Sequence, residues 1–211
     1  MSFNSYENLA QVQKDYQIRQ IETDFVRPER VTIRPSFQED LEFSVREFSF
    51  EDSEYGVCET LIFPILKEVY RSHRSQLTLW SHKPLNYDEK LCGVPDYMVA
   101  SRSPLGKRIF ETPYFVAIEA KRDDFVKGWG QCLAEMVAIQ KANGWTDHKT
   151  VFGIVSNGIL WQFGQLTGDL FEKNLRSYSI DELEILLGAI DAIFKACVTN
   201  HSPSNKRAIA P

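Results

Sequence analysis

The sequence predicts an α/β fold: a mixed central sheet flanked by helices, with an N-terminal extension and a long C-terminal helix. Three observations predict it. The apolar run Tyr114-Phe115-Val116-Ala117-Ile118 reads as a strand buried in the middle of a sheet. Apolar stripes of helical period precede and follow it, over Asp52–His73 and from Phe125 to Ile139. Two further strand-like runs around Asn157-Gly158 then lead into a last amphipathic segment.

The elements follow in chain order. A short helix is expected around Tyr6 to Tyr16. Between residues 21 and 50, Leu41, Phe43 and Val45 alternate as in a strand, whereas Leu41, Val45 and Phe48 fit a helical stripe; Pro28 and Pro35 oppose a long helix. From Asp52 to His73, Cys58, Ile62, Leu66 and Val69 share one stripe, and Pro64 inside it predicts a kink or a break. Strands are expected at Leu77–Trp80, Tyr97–Ala100 and Tyr114–Lys121. Asp123 and Asp124 suit the positive end of the next helix, whose inward face is Phe125, Trp129, Cys132, Met136 and Ile139 and which should end near Asn143-Gly144. A hairpin, Val151–Val155 and Ile159–Phe163, turns on Asn157-Gly158. Ser179 and Glu182 form a capping box before Leu183, Leu186, Leu187, Ile190 and Phe194.

The chain has 211 residues, 43% hydrophobic and 25% charged, which suits one soluble domain with a real core. The expected division is an extension over 1–50 packing on the core, a domain over 51–199 and a flexible tail over 200–211. No apolar run approaches a membrane span, and Met1-Ser2-Phe3-Asn4 lacks the basic and apolar parts of a signal peptide. Cys58, Cys92, Cys132 and Cys197 are widely spaced, so reduced thiols in a cytoplasmic protein are expected rather than disulfides or zinc. The net charge of −5 does not favour a general nucleic-acid binder, but its distribution is uneven. Gln38–Glu68 holds nine acids and two bases, while Met98–Phe110 holds Arg102, Lys107 and Arg108 with no acid. A polyanion could therefore be held locally.

The chemistry concentrates in two clusters. Gly93-Val94-Pro95-Asp96 is followed, 23 residues after the aspartate, by Glu119-Ala120-Lys121 at the end of the buried strand. Alternation along a strand puts Glu119 and Lys121 on one face, about 7 Å apart. Gly93 permits a tight approach and Pro95 fixes the backbone before Asp96. Should the strands carrying Asp96 and Glu119 pair, their carboxylates converge. Converged carboxylates repel unless a cation intervenes, and magnesium binds through one or two carboxylates plus phosphate. Lys121 could orient a water or stabilise transition-state charge.

These residues resemble the PD-(D/E)XK nuclease superfamily, with its restriction-endonuclease-like fold. The motif stands here as Pro95-Asp96 and Glu119-Ala120-Lys121, and the likeness in element order covers roughly residues 52 to 165. Within the superfamily the chain is most similar to the nuclease domains of type I restriction motor subunits and their stand-alone relatives. The resemblance implies a DNA endonuclease dependent on Mg2+ or Mn2+, acting in restriction, defence or repair, with a homodimer or a larger complex as its assembly. It implies that Asp96 and Glu119 bind the metal with the Ala120 carbonyl, that Lys121 is catalytic, that Glu59 is an additional acid and that Gln131 reaches the site. Arg102, Lys107, Arg108, Arg122 and Lys127 are the candidate phosphate contacts.

Plainer readings stand beside these. Glu59 could be a helix-edge ion pair, Gln131 a core contact and the basic residues a solvated loop. His73, His82 and His148 lack ligand spacing and read as surface or structural, and Trp129 and Trp161 as packing residues. Two other functions remain open: a catalytically silent module of the same fold that binds nucleic acid or a protein, and an α/β protein in which Glu119 and Lys121 are an ordinary structural pair.

Overall fold

The computed structural model describes residues 2–50, 52–146 and 149–201; His148 and the tail from Ser202 onward lie outside the described residues. A 3-10 turn, Phe3–Ser5, leads to α1 (Leu9–Tyr16), where the Asn8 side chain accepts the Gln11 N–H. β1 (Arg19–Thr23) and α2 (Pro35–Glu47) follow. The two patterns that compete over Leu41 to Phe48 resolve as helix up to Glu47. Pro35 lies in the first turn, where its missing N–H removes no bond, so it starts the helix instead of preventing it.

α3 (Glu54–Val57) opens on Ser53, whose side chain accepts the Gly56 N–H, and passes through a π turn, Cys58–Ile62, into α4 (Phe63–His73). Of the kink or break expected at Pro64, no break occurs; the irregularity is the π turn just before it. The Phe63 N–H reaches back to the Cys58 carbonyl, and this wider turn accommodates the proline that follows it.

Next come β2 (Leu77–Ser81), a small hairpin of β3 (Leu85–Asn86) and β4 (Cys92–Gly93), β5 (Tyr97–Ser101) and β6 (Tyr114–Ala120). α5 (Phe125–Ala142) is capped by Asp124, which accepts the Lys127 N–H, and ends before Gly144 at a φ of 65°. β7 (Thr150–Ser156), β8 (Leu160–Thr167), β9 (Leu170–Asn174) and β10 (Tyr178–Ser179) complete the strands. The β7–β8 turn centres on Gly158 and Ile159, one residue beyond the expected pair. The Asn157 N–H donates to the Leu160 carbonyl at 3.3 Å, and Gly158 takes the positive φ of 82°. Ser179 accepts the Asp181 N–H in a 3-10 turn, Ile180–Glu182, in place of a box with Glu182. α6 (Leu183–His201) then takes in the first two residues of the expected tail.

The architecture is α/β, with an eight-stranded mixed sheet in the order β1-β9-β8-β7-β6-β5-β2 and β10 added beside β8. β6 and β7 are parallel, with α5 as the crossover between them, and β1 is parallel to β9. Residues 1–50 therefore do more than pack on a core, since β1 supplies an edge strand.

Helices cover both faces of the sheet. Val116, Ile118, Ala120, Ile154 and Phe163 pack in one core with Ile62 and Leu66 from the π turn and α4 and with Ile190 and Phe194 of α6. Ala117, Val155 and Leu166 pack in the other with α5 and with Phe3, Tyr6 and Val12. Sequence periodicity gives α5 a single inward face, yet every residue from Gly128 to Ile139 is buried. The reason is the N-terminal segment, which crosses its outer side so closely that a Cβ on Gly130 would lie 2.7 Å from the Asn8 nitrogen.

Candidate active site

Sheet register builds the site. Ser81 pairs with Tyr97, and Tyr97 pairs with Ile118, so the next residues outward, His82, Asp96 and Glu119, stand in a row at one end of three adjacent strands. Val155 of β7 continues the row beside Glu119. The His82 N–H donates to the Asp96 carbonyl at 2.9 Å. Pro95 precedes Asp96, and Gly93 lets the Phe3 ring approach where a Cβ would lie 2.7 Å from it. The row opens into a cleft of about 670 Å3, whose lining includes Asp96, Glu119, Lys121, Gln131, His82 and Glu54. Asp96 and Glu119 thus share one cleft instead of facing opposite sides of the sheet.

The contacts are short and asymmetric. Asp96 Oδ2 accepts the Ala120 N–H at 2.8 Å, while Asp96 Oδ1 lies 3.6 Å from His82 Nε2. Lys121 Nζ is 2.8 Å from Glu119 Oε1 and 3.5 Å from Glu54 Oε1. The Lys121 N–H is held by the Ser156 carbonyl at 2.8 Å. Its stem fits against α5 because residue 128 is glycine: a Cβ there would come within 2.8 Å of Lys121 Cγ.

Burial sets the electrostatics. It raises the Asp96 carboxyl above its ordinary value, against the Ala120 hydrogen bond and the charges of Lys121 and His82. Burial, then the Asp96 charge, pushes Glu119 from 4.5 up to about 7 despite the adjacent Lys121. Beneath Glu119 lies Glu135 of α5, 2% exposed, driven far above the usual carboxyl range by burial and by the charges of Glu119 and Asp96. The hydrogen bond between the two carboxyl groups favours the proton on Glu135 and the charge on Glu119. Burial alone would pull the Lys121 ammonium down, but Glu119, Glu54 and Asp96 outweigh it and hold it above its usual value.

The other residues singled out in the sequence divide. Gln131 is buried in the cleft wall, and its Nε2 donates to Asn4 Oδ1 at 2.5 Å. Lys127 lines the cleft and pairs with Glu7 at 3.1 Å. Arg122 stays outside the lining, 3.4 Å from Asp123. Glu59 is exposed and does not line the cleft; Glu54 does. Glu59 lies five positions after Glu54, in the π turn that follows α3, and faces away from the cleft. Arg102, Lys107 and Arg108 are not in the lining either. β5 runs away from Asp96 for five residues, about 17 Å, before Arg102 begins the loop. Arg102 there donates to the Arg74 carbonyl at 3.0 Å.

Of the histidines expected to be surface or structural, His73 is structural, buried 2.7 Å from Asp191, whereas His82 belongs to the site instead. Trp129 and Trp161 are buried in the two cores, and Cys58, Cys132 and Cys197 are buried thiols. Sequence reasoning missed His82, Glu54, Glu135 and Asn4. Glu135 had a signal: it is the lone acid inside the apolar stretch Cys132–Ile139, four residues after Gln131 on the same helix face.

Magnesium or manganese, implied by the resemblance, can be tested against these donors. Glu135 Oε2 and Gln131 Oε1 are buried oxygens with no hydrogen-bond partner among the described residues. Unpartnered oxygens beside two mutually repelling carboxylates suit a hard cation with its waters. Among the described residues no three His, Cys, Asp or Glu side chains are grouped to hold a metal by themselves. The donors therefore fit an ion bound through two carboxylates and completed by water and phosphate, which is magnesium's usual arrangement, and not a closed protein cage.

No protein-family model matches the chain, and no curated protein matches it. Among the described residues no helix is long and apolar enough to cross a membrane.

Proposed function

We propose that the protein is a metal-dependent phosphodiester hydrolase, a DNA endonuclease of the PD-(D/E)XK class with a restriction-endonuclease-like core. The observation that carries this reading is the meeting of Asp96, Glu119 and Lys121 at one end of adjacent strands, inside a cleft. The order of the core agrees: α4, the antiparallel run β2-β5-β6, α5, β7 parallel to β6, then β8.

Asp96 and Glu119 would hold magnesium or manganese with the Ala120 backbone carbonyl. When bound, such an ion polarises a phosphoryl oxygen and lowers the pKa of a coordinated water. The Lys121 ammonium, held by Glu119 and Glu54, stands ready to orient the attacking water and to offset charge gathering on phosphate oxygens. Glu135 steadies Glu119 from below through their shared hydrogen bond. Gln131, fixed by Asn4, supplies a further oxygen to the wall.

The test is cleavage of single-stranded, linear and supercoiled DNA with Mg2+ or Mn2+. Wild type is expected to cut at least one form, while Asp96→Asn and Lys121→Ala lose at least a hundredfold. A wild type inert on every form, or variants as active as wild type, would overturn the reading. The same assays, with gel filtration beside them, address a homodimer or a larger restriction or repair complex.

A second reading, a catalytically silent module of this fold binding nucleic acid or a protein, is favoured by one observation. One Asp96 oxygen is already engaged by the Ala120 N–H. Failure of Mg2+ and Mn2+ to bind or stabilise the wild type would favour it.

A further inference from the structure

We propose that the cleft takes a single DNA strand rather than an intact duplex, with an unpaired base stacked on Tyr55. This rests on the hydrolase reading and specifies its substrate form. Tyr55 of α3 stands on the cleft wall with 70% of its surface exposed. Its ring is backed by others. The His82 ring lies 6.1 Å away at 30°, His82 lies 5.8 Å from Tyr97, and Tyr97 stacks on Phe63 at 6.0 Å and 16°. A file of aromatic rings thus runs from the buried Tyr97 outward to the cleft, and Tyr55 ends it. A ring supported from behind is already ordered, so a flat ligand that settles on it loses little additional freedom.

Charge and size point the same way. The lining holds four acids, Glu54, Asp96, Glu119 and Asp124, against two lysines, Lys121 and Lys127. Both lysines are engaged by carboxylates, Lys121 by Glu119 at 2.8 Å and Lys127 by Glu7 at 3.1 Å. Duplex binders draw their affinity from several phosphate contacts, and this lining offers few cations for them. Base stacking needs no cation and contributes roughly tenfold in affinity per base. A volume of about 670 Å3 is that of a small-molecule pocket and can seat a nucleotide. Bases in a duplex are shut between their neighbours and reach such a ring only by flipping out, a cost that a single strand largely lacks.

The experiment is fluorescence anisotropy with full-length protein and calcium, using a labelled mixed-sequence deoxyoligonucleotide as single strand, as duplex, and as single strand with abasic sites. Single strand is expected to bind at least tenfold more tightly than duplex, and abasic sites to remove that advantage. Tyr55→Ala should weaken single-strand binding about tenfold and leave duplex binding alone, while Tyr55→Phe binds as wild type. The exposed position should leave the melting temperature of both variants unchanged. Equal binding of strand and duplex, or full binding by Tyr55→Ala, overturns the proposal. Cleavage that depends on Asp96 without any dependence on Tyr55 would remove the stacking site and leave the hydrolase. Tyr55-dependent binding without cleavage in Mg2+ or Mn2+ would support the stacking site and remove the hydrolase.

Discussion

Asp96 and Ala120 are joined by a hydrogen bond, the Ala120 N–H donating to Asp96 Oδ2 at 2.8 Å. That bond ties the Pro-Asp cluster to the Glu-Ala-Lys cluster and sets the Asp96 carboxylate beside Glu119. It also gives Asp96 two jobs, one structural and one electrostatic, which substitutions can separate.

Asp96→Ala leaves the Ala120 N–H without its acceptor at the end of a buried strand, a loss of about 1–3 kcal/mol. Asp96→Asn retains a carbonyl oxygen and should lose less stability. Both variants should lose metal-dependent stabilisation and cleavage together. Urea unfolding with and without Mn2+ measures both jobs. Equal destabilisation by Ala and Asn would mean that the hydrogen bond is not what the carboxylate contributes to folding.

Stability without metal should fall as pH rises from about 5 to 8. Glu119 has its folded value raised from 4.5 to about 7. Its contribution is therefore complete below 4.5 and is lost as pH climbs through about 7, to the extent of about 3 kcal/mol. Glu135 is displaced in the same direction and adds to the decline. Glu68, Asp88, Asp169 and Asp191 are displaced downward and act only below this window. Thermal melts in EDTA across pH 5 to 8 give the profile, and Mg2+ should restore more stability at pH 8 than at pH 5. A flat or rising profile would count against two buried carboxyls in contact.

How much of this was legible in the sequence depends on whether the information was local. β6, the Asp124 cap, the end of α5 at Gly144 and the face shared by Glu119 and Lys121 all follow from alternation, periodicity and capping, which act over a few residues. His82 joins Asp96 only through the β2–β5 register, which pairs Ser81 with Tyr97, and no local pattern encodes that. Arg102, Lys107 and Arg108 look close to the motifs along the chain. They lie instead past the far end of a strand that starts at the site, because contiguity in sequence says nothing about which end of a strand a loop occupies. Glu59 and Glu54 were separated by helix phase around a π turn, which a uniform 3.6-residue period misplaces.

Gly128→Ala should damage the site from behind. A Cβ there would lie 2.8 Å from both Lys121 Cγ and Val155 Cγ1. Val155 is β-branched and buried in the core and cannot yield cheaply, so Lys121 must move or α5 must shift. The expected cost is about 1–3 kcal/mol, with cleavage falling by more than stability alone explains. Denaturant unfolding and cleavage rates below the melting transition separate the two effects. A variant that unfolds early yet cleaves at the wild-type rate would show that α5 absorbs the methyl without disturbing Lys121.

Glu54 and Glu59 offer the sharpest comparison, because they share one helical run and differ in which way they face. Glu54 Oε1 is 3.5 Å from Lys121 Nζ and lines the cleft, whereas Glu59 is exposed outside the lining. Both carboxylates are solvated enough that either Gln substitution should change stability by no more than about 0.5 kcal/mol. Function should divide them. Glu54→Gln removes a negative charge that helps hold the Lys121 ammonium, so it should slow cleavage severalfold and shift the Mg2+ dependence. Glu59→Gln should match wild type in both. If Glu59→Gln abolished cleavage while Glu54→Gln preserved it, the helix would have to present its other side to the working site, and Lys121 would have to take its counter-charge from Glu119 and Asp96.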